Sequence, residues 1–175
     1  MVMTVDHLVV GAADLDTGIR WVEERTGAAP VFGGVHAGVG TCNALLGLGE
    51  PYLEVLAVDP EQSGVSSPIR EQVAGLHTPA LITVAVAKSD LTDPIPMTRV
   101  RPDGVRLEWA LEFTDTPLFF IDWKDTPRPA DLPDGGRLTS LVITTPDPAR
   151  LSGLTGAEVR QGEWKVEATI NGVRL

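Results

Sequence analysis

Two side chains in the first third of the chain have the chemistry of a site. His7 opens the run His7-Leu8-Val9-Val10-Gly11-Ala12-Ala13-Asp14-Leu15, and the same pattern returns at residues 83–91 (TVAVAKSDL) and 140–148 (SLVITTPDP). Those copies carry Thr83 and Ser140 where the first carries the histidine. A chemical group therefore stands on one strand of a repeated scaffold. Glu54 lies in an otherwise apolar run, Tyr52 to Val58, where an unpaired carboxylate would be costly to bury. It needs a partner: His7, a metal ion, or the guanidinium of Arg99 or Arg101. An imidazole and a carboxylate suit proton transfer or a divalent ion such as Zn, Mn, Fe or Ni that polarises a carbonyl. Two ligands fall short of the three that usually hold a catalytic metal.

Further candidates surround this pair. His36 lies between Gly33-Gly34 and Gly38-x-Gly40, glycines that either form a turn or let backbone approach a ligand. Asn43 could orient a substrate carbonyl or tie its own turn. With Arg101, Trp109 and Trp123, these residues make up the substrate-binding set, the tryptophans serving as apolar wall. Cys42, the single cysteine, reads as a small core residue, with no basic cluster to activate it. His77 reads as a surface histidine. No Ser-His-Asp pattern and no phosphate loop with its lysine occur, so neither a serine hydrolase nor a nucleotide site is indicated.

The elements that position these residues follow from periodicity. Val5 to Val10 reads as a strand with His7 on the face of Val5 and Val9. Asp14 caps a helix whose Leu15, Ile19 and Val22 share one side, and Gly27 ends it. Strands follow at about 30–35, 43–48 and 52–58, giving the order βαβββ. A linker over 59–80 holds a short helix, Ile69 to Gly75. The second copy begins at Leu81, keeps a stub of helix around Ser89 to Thr92, and continues through a hairpin turning at Pro102-Asp103-Gly104. Leu107, Trp109, Leu111 and Phe113 alternate there with Arg106, Glu108 and Glu112, which predicts an apolar inner face. Pro117 to Trp123 supplies the fourth strand. The third copy has a brief helix at Pro148 to Leu151 and a last hairpin across Asn171-Gly172, and is expected to complete a sheet begun by the others.

The chain has 175 residues, 43% of them hydrophobic, enough for a core without disulfides. A formal net charge of -10 with no Lys/Arg cluster excludes nucleic-acid phosphate as a partner. No leader or membrane span is legible at the N-terminus, so a cytoplasmic location, a small-molecule ligand and no membrane are expected, and a homodimer is compatible.

Asp6-His7-Leu8-Val9-Val10, His36-x-Gly-x-Gly-Thr-x-Asn43 and Tyr52-Leu53-Glu54-Val55 together resemble the vicinal oxygen chelate superfamily, in its glyoxalase-like-domain branch. Arg101-Pro102-Asp103-Gly104, Phe119 to Trp123 and Leu141 to Pro148 extend the likeness over nearly the whole chain. The resemblance implies an α+β fold in which repeated βαβββ modules form a curled, mainly antiparallel sheet around a cup, with helices outside. It implies one glyoxalase-like domain over 1–175, with module one at 4–58, module two at 81–124 and a partial third βαββ unit at 137–175. Many members hold a divalent metal through the first and fourth strands of each module. His7 and Glu54 match those positions in module one, with Glu54 also the proposed catalytic carboxylate. In module two the positions fall on Thr83, a poor ligand, and Asp122, a third candidate. In module three they would fall on Ser140 and Leu175, with Glu167 one strand early. An eroded site with weak or absent metal is therefore expected. The implied function is glyoxalase-like lyase, isomerase or oxygenase chemistry on a substrate with adjacent oxygens. The alternative is a metal-free binding or sequestration protein using the same cup.

Overall fold

A computed structural model describes residues 2–175. The first module has strands β1 (Met3–Ala12), β2 (Val31–His36), β3 (Thr41–Gly47) and β4 (Tyr52–Val58), with helix α1 (Leu15–Thr26) after β1. Asp14 accepts from the Thr17 amide at 2.8 Å, and Gly27 closes α1 at φ 79°, a conformation glycine adopts freely. The helix lies outside the sheet and buries Val22 completely, worth about 1.5–3 kcal/mol. Its Gly18 lets it approach closely: a Cβ there would stand 2.4 Å from Val55 Cγ1.

Helix α2 (Pro68–Ala74) precedes β5 (Ala80–Ala87), β6 (Ile95–Val100), β7 (Arg106–Phe113) and β8 (Phe119–Asp122). The expected stub at Ser89 to Thr92 is a bend, not a helix, because Pro94 and Pro96 leave no room to propagate one. The strands run in the order β1-β4-β3-β2-β6-β7-β8-β5, and β5 pairs back onto β1. Modules one and two thus close an eight-stranded barrel, a size whose interior holds one small ligand. The seam between β2 and β6 rests on a single pair, Val35 with Val100. Helix α2 caps the cup: Val73 packs against the inward-facing Val9 and Leu56, and Ile69 and Gln72 line the cavity.

The third copy corrects an expectation. Of its strands, only β10 (Leu154–Thr155) joins the barrel sheet, beside the start of β1. The others, β9 (Leu138–Thr145), β11 (Glu158–Gln161), β12 (Lys165–Ile170) and β13 (Val173–Arg174), form a second four-stranded sheet. Its Leu141, Ile143, Ala168 and Ile170 share a core with Leu8, Val10, Val84 and Val86. The barrel was already closed by β5, so this sheet covers the outer face of β1 and β5. Both faces of β1 are consequently buried, which is why its sequence is nearly continuously apolar.

Candidate acid–base cup

The polar end of the cup is built on a break in strand register. Between Val5 and His7 the pairing of β1 with β5 shifts by a residue, a bulge of the kind that re-aims side chains. Val5 therefore packs with Leu8 and Val10 in the outer core, not on the His7 face as strict alternation predicts. The shift also lets Asp6 and His7, sequence neighbours that a regular strand would point apart, meet at 2.7 Å (Oδ1 to Nδ1). The second Asp6 oxygen accepts from Trp123 Nε1 at 3.1 Å and pairs with Arg128 Nε at 2.8 Å. Asp6 is fully buried. Its pKa lies below the usual carboxylate range, because bonds and charges from His7, Arg128 and Trp123 outweigh the upward push of burial.

The other ring nitrogen of His7 faces Glu54, Nε2 to Oε2 at 3.4 Å. Burial alone would push His7 down, but hydrogen bonds and charges from Asp6 and Glu54 hold it up at about 9. Burial would raise Glu54, yet the His7 bond and charge and an Asn43 bond pull it down to about 2. Asn43 Nδ2 donates to Glu54 Oε1 at 2.5 Å and lies 3.4 Å from His36 Nε2. His36 Nδ1 bonds Thr41 Oγ1 at 2.9 Å, so the network assigns its proton to Nδ1. Its pKa is lowered by burial, the Glu54 charge 3.9 Å away opposing the shift and the Arg99 and His7 charges adding to it, which favours the neutral ring. Tyr52 stacks on His7 with ring centroids 4.5 Å apart.

His7, His36, Thr41, Asn43, Tyr52 and Glu54 occupy one wall of a cavity of about 580 Å³, with Asp6 buried behind His7. Much of the remaining wall is apolar, including Met97, Trp109, Phe119, Ile121 and Trp123. His7, His36, Asn43, Glu54, Trp109 and Trp123 all line it. Two candidates do not. Arg101 lies beyond the end of β6 in the hairpin turn, exposed, with its guanidinium on Asp103 at 2.6 Å. Asp122 points out of the cup, accepting from the Lys124 amide at 2.9 Å; its neighbours Ile121 and Trp123 take the inward positions, and strand alternation leaves Asp122 the outer face.

The donors present do not fit a divalent-metal site. Among the described residues no group of three or more His, Cys, Asp or Glu is placed to hold an ion. Asn43 occupies Glu54 Oε1 at 2.5 Å and Asp6 occupies His7 Nδ1 at 2.7 Å, which leaves the pair one carboxylate oxygen and one ring nitrogen, short of three protein ligands. From the second module the cavity receives Thr83, whose hydroxyl donates to the Pro117 carbonyl, together with Thr116, the cation Arg99 and apolar side chains, and, among the described residues, no carboxylate or imidazole. Cys42 is buried, with burial pushing its thiol up to about 11, and His77 is exposed.

Arg99, which the sequence offers only as a counter-ion for Glu54, belongs to the site. It is 5% exposed, lines the cavity, and donates to Asn43 Oδ1 at 3.3 Å. Gly33 makes the room: a Cβ there would lie 2.6 Å from Arg99 Nη1 and 2.4 Å from Asn43 Oδ1. The Gly33-Gly34 pair beside the site was the available signal.

A closed cup of paired βαβββ-type units with its polar groups on one wall is the architecture of small-molecule proteins of the vicinal oxygen chelate class. Residues 5–158 match the glyoxalase-like domain family, and the chain belongs to it. A hypothetical protein from Staphylococcus aureus superposes with a TM-score of 0.64 at 16% identity, covering 99% of this chain and 98% of that one. A 4-hydroxymandelate synthase variant from Streptomyces coelicolor gives 0.52 at 14% identity, over 85% of this chain and 50% of that one. A methylmalonyl-CoA epimerase in complex with methylmalonyl-CoA gives 0.47 at 14% identity, over 74% and 100% respectively. At these identities the likeness is one of fold. No curated protein matches the chain in sequence.

Proposed function

We propose that this protein is a small-molecule enzyme that moves a proton at a carbon beside a carbonyl, using its own side chains and no metal. The observation that carries the reading is the Asp6–His7–Glu54 relay, buried along β1 and β4 and opening into an apolar cavity. Perturbed, mutually opposed titrating groups in a cleft are the signature of acid–base work.

In the ligand-free cup Glu54 is too weak a base, because His7 and Asn43 hold it ionised. The His7–Glu54 contact of 3.4 Å is longer than a good hydrogen bond, so a substrate carbonyl oxygen can take the Nε2–H in place of Glu54. Glu54 then loses its strongest partner while staying buried, and its affinity for a proton rises. It takes the proton from the adjacent carbon as negative charge moves to the carbonyl oxygen, which the imidazolium stabilises. Asp6 keeps the ring oriented and charged, with Trp123 and Arg128 holding Asp6. Return of the proton from Glu54 to the same carbon regenerates the pair.

The test is deuterium incorporation in D2O, followed by proton NMR, across a panel of aryl ketones and 2-oxo acids with chelator-treated protein. Exchange is expected to survive chelation and to fall by about 10²–10⁴-fold in Glu54→Gln. Exchange that requires added metal overturns the proposal. A second reading, binding without turnover, is favoured by the resting charges: Glu54 at about 2 and His7 at about 9 both lie far from neutrality. Binding with no exchange by any panel member selects it.

A further inference from the structure

Arg99 is a buried cation that feels the charge of Glu54 but has no carboxylate at ion-pair distance among the described residues. Every other cation in the cup network has one: His7 has Asp6 and Glu54, and Arg128 has Asp6. Its one hydrogen bond goes to the amide oxygen of Asn43, leaving most of its five N–H donors unspent. Among the described residues, the side-chain nitrogen or oxygen that is fully enclosed without a partner is Arg70 Nε. The spare donors of Arg99 are therefore not walled in, and face the cavity that the residue lines. Two carboxylates, Asp6 and Glu54, stand in this network against three cations, His7, Arg99 and Arg128.

The position is constructed. Gly33 and Gly34 of β2 form a bed for the side chain arriving from β6: a Cβ on Gly34 would lie 3.0 Å from Arg99 Cγ and Cδ and 2.8 Å from the Val100 carbonyl. Asn43 fixes one Nη1 edge. A buried guanidinium that lacks an ion partner destabilises a fold, and its planar fork matches a carboxylate with two parallel hydrogen bonds. We propose that Arg99 binds the anionic group of the ligand, a carboxylate, while the ligand's flat apolar body lies along Trp109, Trp123 and Phe119. The proposal rests on the cup being a small-molecule site and adds the class of molecule: an apolar monocarboxylate.

The probes are 1-naphthaleneacetate and its uncharged amide, titrated calorimetrically at pH 7 into wild type, Arg99→Met and Arg99→Lys. Wild type is expected to prefer the carboxylate by about tenfold or more. Arg99→Met should weaken the carboxylate by about 30-fold or more and leave the amide unchanged, and Arg99→Lys, which keeps charge without the fork, should fall between. Ligand-free Arg99→Met should melt no lower than wild type, because the methionine removes an unpaired buried charge. A lower melt would mark Arg99 as structural and overturn the proposal. So would equal binding of the two probes, or binding of neither. Carboxylate binding without proton exchange sinks the enzymatic reading and keeps this one; ketone exchange without a carboxylate preference does the reverse.

Discussion

Glu54→Gln removes one of the two carboxylates that keep His7 charged while preserving the side chain's shape. The rise of His7 from 6.5 to about 9 corresponds to about 3 kcal/mol of folding stability at neutral pH. Asp6 at 2.7 Å and Glu54 at 3.4 Å share it, and the longer contact leaves Glu54 about 1–2 kcal/mol. The sign follows from both partners. His7 is raised, so its contribution is full below its ordinary 6.5 and is lost as pH climbs through about 9. Glu54 is depressed, so its contribution is present above its ordinary 4.5 and is lost as pH falls through about 2. Melts from acid to alkali should show the variant lower by about 2–8 °C near pH 7, with the gap closing above about pH 10 as His7 loses its proton in both proteins. A gap of the same size at pH 10, or none at pH 7, refutes the buried ion pair.

Asp6→Asn should cost more, about 3–5 kcal/mol, because His7 and Arg128 lose their shared negative charge and the new NH2 group faces a donor in place of one acceptor oxygen; chemical denaturation measures it. Gly33→Ala should destabilise by about 1–3 kcal/mol and weaken carboxylate binding together, since the new methyl group would overlap Arg99 and Asn43; melts and calorimetry on one preparation check both. Arg101→Ala should change stability by less than about 1 kcal/mol and leave binding untouched, because its ion pair with Asp103 is exposed.

Much of module one was legible because its signals are local. The Asp14 cap, the Gly27 stop and the apolar runs of β1, β3 and β4 each act within a few residues, and together they place His7 and Glu54 on neighbouring parallel strands. The bulge at Asp6 depends on pairing with β5, some 80 residues away in sequence, and no local signal announces it. Asp122 could have been set aside from the sequence: once Trp123 is assigned to the wall, alternation sends its neighbour outward. Arg99 and Arg101 share strand parity, and only the strand's end at Val100 separates a buried binding group from a turn residue. The third copy repeats the strand-bend-Asp pattern, yet its partners are set by a barrel already closed without it.

Acid–base chemistry in this cup depends on the charge states of two histidines facing one cavity. Nitrogen-edited NMR of the three imidazoles, with His77 assigned by substitution, reads them directly. His7 is expected to keep protons on both ring nitrogens at pH 7 and to titrate near 9, with His36 neutral and protonated on Nδ1 alone. Zinc, manganese or nickel should leave the His7 signals in place. A neutral His7 at pH 7 whose Nε2 shifts on metal addition would contradict the acid–base cup and restore the metal site.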